Sequence, residues 1–152
     1  MANTQAMATS FKQDILNGVH AFSAATGGKA SADVFKAALY TTTSSLGAGT
    51  TSFTTATTEV SGAGYTTGGV VVTTATAPST SGTTAFFTPS ASIVFSSVTL
   101  TTPFDAVLIY NNTVAGKNAV SVHTFGAQTV TAGTFTLTMP TNDATNALIR
   151  IA

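Results

Sequence analysis

The sequence predicts a mainly β chain, an antiparallel β-sandwich or jelly-roll-like single domain with a short N-terminal helix. Thr supplies 33 of the 152 residues, and this β-branched residue favours strands while its hydroxyl solvates an exposed face. Apolar residues recur between the Thr runs at the two-residue spacing of a strand. Gly-rich turns separate about eight such segments, at intervals typical of sandwiches.

The chain is expected to divide into an arm and one domain. Residues 1–10 are predicted to form an N-terminal arm that reaches a neighbouring subunit, because the segment is polar and uncharged. Residues 11–152 are predicted to form the β-sandwich domain. A chain of this length buries about two thirds of its unfolded surface, which is enough for a core without disulfides. The sequence has no Cys, so disulfides and thiolate metal sites are excluded.

A helix is predicted over about residues 11–23. Ser10 is placed to cap its N-terminus, and Gly27-Gly28 follows as a break. A competing interpretation replaces the helix with two short strands around Asn17-Gly18. The periodicity favours the helix because five apolar side chains share one helical face: Phe11, Ile15, Leu16, Val19 and Phe22.

From about residue 33 onward the sequence predicts strands separated by turns. Pro103 is expected to end one strand, because proline cannot donate to a sheet ladder. The continuous apolar run Ala106 to Tyr110 is typical of a central strand covered on both faces. Polar or Gly-rich loops are expected at 44–52, 61–69, 78–82 and 111–118. Strands are expected at 34–43, 70–72, 93–100, 106–110, 119–125, 134–139 and 148–151.

Charged residues are rare. Asp, Glu, Lys and Arg make up 7% of the chain, against about 25% in an ordinary soluble domain. The formal net charge is zero, and the cations are scattered singly, whereas a phosphate-binding surface needs them clustered. We therefore expect no nucleic-acid partner and a surface suited to packing against neighbours without charge repulsion. The five cations are Lys12, Lys29, Lys36, Lys117 and Arg150.

The sequence also predicts no membrane partner. Its most apolar runs are far shorter than the ~20 residues of a spanning helix. The N-terminus lacks the basic and apolar regions of a signal peptide, which predicts synthesis in a cytoplasm.

Residues for catalysis or metal binding do not form a recognisable set. His20 and His123 are isolated in sequence, and a zinc or copper site needs three or four converging ligands. A Ser-His-Asp triad would have to pair one of them with Asp33, Asp105 or Asp143, and no Gly-x-Ser-x-Gly elbow is present. We therefore predict no enzyme activity, no catalytic, cofactor-binding or metal-binding residue, and no cofactor.

The Gly-rich segment Ser61–Gly69 is a weak candidate for a phosphate-binding loop. It contains Gly62-x-Gly64 but lacks the Gly-Lys-Ser/Thr ending and a following helix. Turns between strands are the favoured interpretation.

Five segments together resemble small structural proteins encoded by tailed bacteriophages and prophages. The likeness spans nearly the whole chain and includes no catalytic residue. The segments are FKQDILNGVH (11–20), DVFKAALYT (33–41), EVSGAGYTTGG (59–69), FDAVLIYNN (104–112) and NDATNALIRIA (142–152).

The resemblance implies a virion structural protein, made in the host bacterial cytoplasm and placed on the head surface. The leading expectation is a decoration or cement protein that binds the major capsid protein and copies of itself, as a homo-trimer or dimer. A tail or neck component is the alternative. A carbohydrate-binding adhesin is more distant, because sugar platforms use exposed aromatic rings and the sequence has no Trp and only Tyr40, Tyr65 and Tyr110 besides Phe.

Overall fold

A computed structural model describes residues 2–23, 29–74 and 76–152. It confirms the predicted fold class, a mainly β, sandwich-like chain of antiparallel sheets with one short α-helix among the described residues. The elements are β1 Ala6–Met7, α1 Thr9–Leu16, β2 Phe35–Thr41, a 3₁₀ turn Phe53–Thr55, β3 Val70–Val72, β4 Ser79–Ser81, β5 Thr84–Phe87, β6 Ile93–Asn111, β7 Ala119–Leu137 and β8 Ile149–Ile151.

The strands form two sheets that share one hydrophobic core. The larger sheet has the order β1-β7-β6-β2-β3, and the smaller has the order β4-β5-β8. Every strand pair in both sheets is antiparallel. Phe35 of β2, Phe104 of β6, Phe87 of β5 and Phe11 of α1 belong to the same buried cluster. Burial of this shared apolar surface therefore holds the sheets and the helix together.

The helix is shorter than predicted. It begins after Ala8, which occupies the N-cap position that we expected Ser10 to hold, and it ends at Leu16. Gly18 then adopts a φ of 65°, a conformation that glycine tolerates and that reverses the chain. The predicted extension to residue 23 was wrong, and so was the alternative of two strands. The predicted break at Gly27-Gly28 lies outside the described residues.

The N-terminal segment packs into its own domain. β1 pairs with β7 through Met7 and Ser121. Asn3 is buried; its Nδ2 donates hydrogen bonds to the carbonyl of Thr41 at 3.0 Å and to Asp105 at 2.6 Å. The predicted role of residues 1–10 as an arm that reaches a neighbouring subunit remains a prediction. Such an arm could extend only if these contacts within the domain were broken.

Two long strands replace four predicted short ones. β6 and β7 each span 19 residues and form one hairpin, whose loop lies at 111–118 as predicted. Pro103 does not end a strand, contrary to our expectation, because it lies where the β6–β7 register shifts between Leu100 and Phe104. A bulge of this kind tolerates a residue without an N–H group. The predicted loop at 78–82 was also wrong, since it contains β4, paired with β5.

Candidate interaction surface and buried polar cluster

Most of the sheet surface carries no charged side chain. Residues 60–104 and 118–142 contain no Asp, Glu, Lys or Arg. These two ranges include β3, β4, β5 and β7 entirely, together with the first twelve residues of β6. Five of the ten charged residues instead lie in the first 36 positions. The charge distribution therefore separates a charged end, around α1 and the start of β2, from a large neutral surface.

The outer edge of β7 is the longest open strand edge on that surface. β1 covers it only at Ser121 and Val122. From His123 to Leu137, β6 is the sole strand paired with β7 in the described part of the chain. This stretch contains neither a charged residue nor a proline, the two side-chain devices that natural edges use to prevent pairing. We call residues 123–137 the open edge.

Bulges shape the open edge. The β6–β7 register shifts on both sides of the Leu100–Val130 pair, and Ser97 and Ala132 have positive φ angles of 53° and 46°. Bulges bend and twist a ribbon and protect it from indiscriminate strand addition. The open edge is therefore bent and twisted at these positions and is not a flat template for strand addition.

Aromatic packing holds the inner face of the same ribbon. The ring centroids of Phe104 and Phe135 are 5.0 Å apart in an edge-to-face arrangement, and those of Phe125 and Phe135 are 5.1 Å apart. Such pairs stabilise by about 1 kcal/mol beyond the area that they bury. Several Thr residues of the same strand are exposed, while the Phe side chains pack on the inner face: Thr129, Thr131, Thr134 and Thr136.

A second notable feature is a buried polar cluster at the charged end. His20 Nε2 lies 3.3 Å from Asp14 Oδ2, and the His20 side chain is 1% exposed. Asp14 Oδ2 also accepts a hydrogen bond from Asn118 Nδ2 at 2.8 Å. His20 Nδ1 lies 3.0 Å from Asn111 Nδ2. The cluster therefore joins α1, through Asp14, to both residues that flank the β6–β7 hairpin loop.

Asp33 extends this cluster. Its Oδ2 accepts hydrogen bonds from Asn111 Nδ2 at 2.7 Å and from the backbone N–H of Ala21 at 2.9 Å, and Lys29 Nζ lies 2.8 Å away. Burial alone raises the pKa of Asp33, but the hydrogen bonds from Lys29, Ala21 and Asn111 outweigh that effect and lower the pKa. Burial lowers the pKa of His20, although the Asp14 carboxylate opposes this.

The cluster brings together residues that sequence reasoning kept apart. His20 lies beside Asp14 and is linked to Asp33 through Asn111, whereas the sequence predicted an isolated histidine. The signal was Asn17-Gly18: when the helix ends there, the chain turns back and places His20 beside α1. The ion pair between Lys29 and Asp33 was also not predicted, because a spacing of four residues outside a predicted helix belongs to no recognisable motif.

The other two Asp residues considered for a triad lie elsewhere. Asp105 contacts Asn3, and Asp143 accepts hydrogen bonds from the backbone N–H groups of Thr145 and Asn146 in a turn. His123 Nε2 lies 2.8 Å from Ser121 Oγ, and burial is the cause that lowers its pKa to about 4. These residues do not assemble into a triad. Within the described ranges no group of three or more metal-ligating side chains converges.

The Gly-rich segment packs against the sheet. A Cβ on Gly64 would stand 2.1 Å from the carbonyl oxygen of Ser97. Glu59 Oε1 accepts hydrogen bonds from the Tyr65 hydroxyl and the Gly68 N–H, both at 2.7 Å. The Gly68 N–H, which a phosphate-binding loop would offer to an anion, is bound to the Glu59 carboxylate instead. These glycines therefore serve the close packing of one chain segment on another.

Comparison with known protein families, with curated proteins and with solved structures found no match to this chain. No helix in the described part of the chain has the length and apolar character needed to cross a bilayer.

Proposed function

We propose that this chain is a structural protein of a tailed-phage virion, a head decoration or cement protein that binds the major capsid protein and copies of itself. The observation that carries the proposal is the neutral, rigid surface centred on the open edge. The proposal also rests on the sequence resemblance described above. It assigns the chain no catalytic role and no cofactor.

The physical case begins with the cost of burying charge. An unpaired charge at an interface costs several kcal/mol, because it loses its water without gaining a partner. A surface of Thr, Ala and Gly brings no charge of its own to the contact and so avoids that cost against another neutral surface, including a second copy of itself. Identical copies on a shell meet through the same patches many times, so a small favourable contact is multiplied.

Rigidity adds to this case. A surface that is already ordered loses little conformational entropy when a partner binds. The aromatic pairs of Phe104, Phe125 and Phe135 order the ribbon from within. The open edge therefore resembles a preorganised contact surface more than a flexible loop.

The adhesin alternative has little structural support. Tyr40 and Tyr110 are fully buried, and Tyr65 is half-buried. Every Phe is also buried or half-buried, so the aromatic platform on which a sugar ring usually stacks is missing from the exposed surface.

Location within the virion tests the proposal. Purified particles would be separated into heads and tails, and the chain quantified in each fraction by mass spectrometry with isotope-labelled peptides. A head protein is expected in the head fraction at a copy number set by capsid symmetry. A few copies in the tail fraction would support the tail or neck alternative instead. Absence from both fractions would reject a virion role.

A further inference from the structure

His20 is held between two parts of the chain that the sequence does not connect directly. Its Nε2 faces Asp14 on α1, and its Nδ1 faces Asn111 at the root of the β6–β7 hairpin. The ring also packs against Phe11 and Phe22, with centroid separations of 5.0 Å and 6.3 Å. A change in the charge of the ring therefore acts on both α1 and the hairpin.

The position of the imidazole proton follows from Asn111. The Asn111 Nδ2 donates to Asp33 Oδ2 at 2.7 Å, and its Oδ1 accepts the N–H of Thr113 at 2.9 Å. These two contacts fix which end of the amide carries hydrogens. Since Nδ2 is a donor, His20 Nδ1 must accept, and the neutral ring carries its proton on Nε2.

Protonation of His20 destroys this arrangement. A second ring proton would sit on Nδ1 and face the N–H group of Asn111, donor against donor. Asn111 cannot rotate its amide without losing Asp33 and Thr113. We propose that His20 is an acid-sensitive latch whose protonation releases α1 and residues 17–22 from the hairpin root.

The charges around the ring do not relieve the conflict. Asp14 faces it from α1, and Asp33 and Lys29 approach from the segment before β2. The Asp14 carboxylate favours the imidazolium, but it lies at Nε2 and offers no acceptor to the new proton on Nδ1. Asp33 favours a cation in general, but Asn111 and its hydrogen bond lie between that carboxylate and Nδ1. Burial further disfavours the imidazolium, and the pKa of His20 is lowered.

The sign of the pH dependence follows from linkage. In the closed state α1 and residues 17–22 stay packed on the hairpin root, and the His20 imidazole is neutral. In the open state these segments are released, and His20 takes up a proton near the ordinary pKa of about 6.5. The closed state is thus fully favoured above that pH, and opening increases as the pH falls. At pH 5 the increase in the opening equilibrium approaches about 30-fold as its upper limit. This inference holds whether or not the chain is a virion protein.

Hydrogen exchange with mass spectrometry on the full chain tests the latch. Exchange of peptides covering residues 9–22 would be compared at pH 7.5 and 5.0, after correction for intrinsic rates. We expect opening to rise by up to about 30-fold in the wild type, and to rise much less in His20→Gln, whose amide cannot gain a proton. The control is His123→Gln, which removes the other histidine whose pKa burial lowers. His123 acts on the stability of the whole fold, so this variant should leave unchanged the excess of opening in residues 9–22 over global unfolding.

A second measurement needs no variant. Nitrogen-15 NMR of the wild-type histidine rings reports the tautomer at pH 7.5 and the midpoint of titration. The latch requires the proton on Nε2 and a midpoint below 6.5. A proton on Nδ1, a midpoint at or above 6.5, or equal acid-induced opening in wild type and His20→Gln would each overturn the inference.

Discussion

Gly62 lies directly against the backbone of Thr99, so closely that a Cβ on Gly62 would stand 2.0 Å from the Thr99 carbonyl oxygen. One residue further on, the Ala63 carbonyl accepts the N–H of Thr99 at 2.8 Å. The Gly-rich segment is therefore attached to β6 by contact between main chains, and a side chain at position 62 would push the segment away from β6.

Gly62→Ala should lower the free energy of unfolding by ~3 kcal/mol, because neither backbone can yield to the added methyl group. Urea denaturation measures the loss. The matched control is Gly126→Ala, at a position where a Cβ meets nothing within 4 Å, and we expect a change within about 0.5 kcal/mol. Equal losses in the two variants would contradict the close packing of the Gly-rich segment.

Two tyrosine hydroxyls should differ in their contribution to stability. The Tyr65 hydroxyl donates to Glu59 and accepts the N–H of Leu39 at 3.0 Å, whereas the buried Tyr40 hydroxyl has no partner among the described residues. Tyr65→Phe should destabilise by ~2 kcal/mol, since it leaves the Leu39 N–H without its acceptor and removes one of the two hydrogen bonds to Glu59 Oε1. Tyr40→Phe should cost nothing or stabilise slightly. Thermal denaturation of both variants makes the comparison, and a larger loss for Tyr40→Phe would refute it.

His123 should make folding sensitive to acid. Burial lowers its pKa to about 4 in the folded chain, against about 6.5 when unfolded. The folded state thus binds fewer protons between these values, so its stability is complete above pH 6.5 and declines as the pH falls toward 4. The loss amounts to ~3 kcal/mol by pH 4. Denaturant titrations from pH 7 to 4 should show a shallower decline for His123→Gln than for wild type, and parallel curves would contradict this.

The class of fold could be predicted from the sequence because it depends on repeated local patterns. Residues 134–139 alternate Thr with Phe135, Leu137 and Met139, a pattern that predicts an apolar inner face, and these three side chains are half-buried while the intervening Thr are exposed. The apolar run Ala106–Tyr110 lies within β6, between β2 and β7, as its composition indicated.

Strand bounds and faces could not be predicted where bulges intervene. Strict alternation from Ile93 to Leu100 would place Phe95 and Val98 on opposite faces, yet both are buried. The positive φ of Ser97 inserts an extra residue and moves Val98 to the inner face. A non-glycine residue in that conformation gives no signal in a single sequence.

The buried polar cluster was also beyond sequence reasoning. His20, Asp33 and Asn111 come together through the pairing of β2 with β6, which places Phe35 opposite Asn111. The register between β2 and β6, which are far apart in sequence, determines which residues come together, and no local pattern in the sequence predicts that register. By contrast, the neutrality of the surface follows from the composition and could be predicted from the sequence.

Binding to heads that lack this chain tests the central claim most directly. Purified wild-type protein would be mixed with such heads, and the bound amount measured by sedimentation against concentration. Thr129→Lys places one positive charge on the open edge. Gln13→Lys places the same charge at an exposed position on α1, away from that edge. We expect saturable wild-type binding in a fixed ratio to the major capsid protein, a loss of at least about 10-fold in affinity for Thr129→Lys, and wild-type affinity for Gln13→Lys. No saturable binding, or equal affinity for all three proteins, would contradict a neutral contact surface on the open edge.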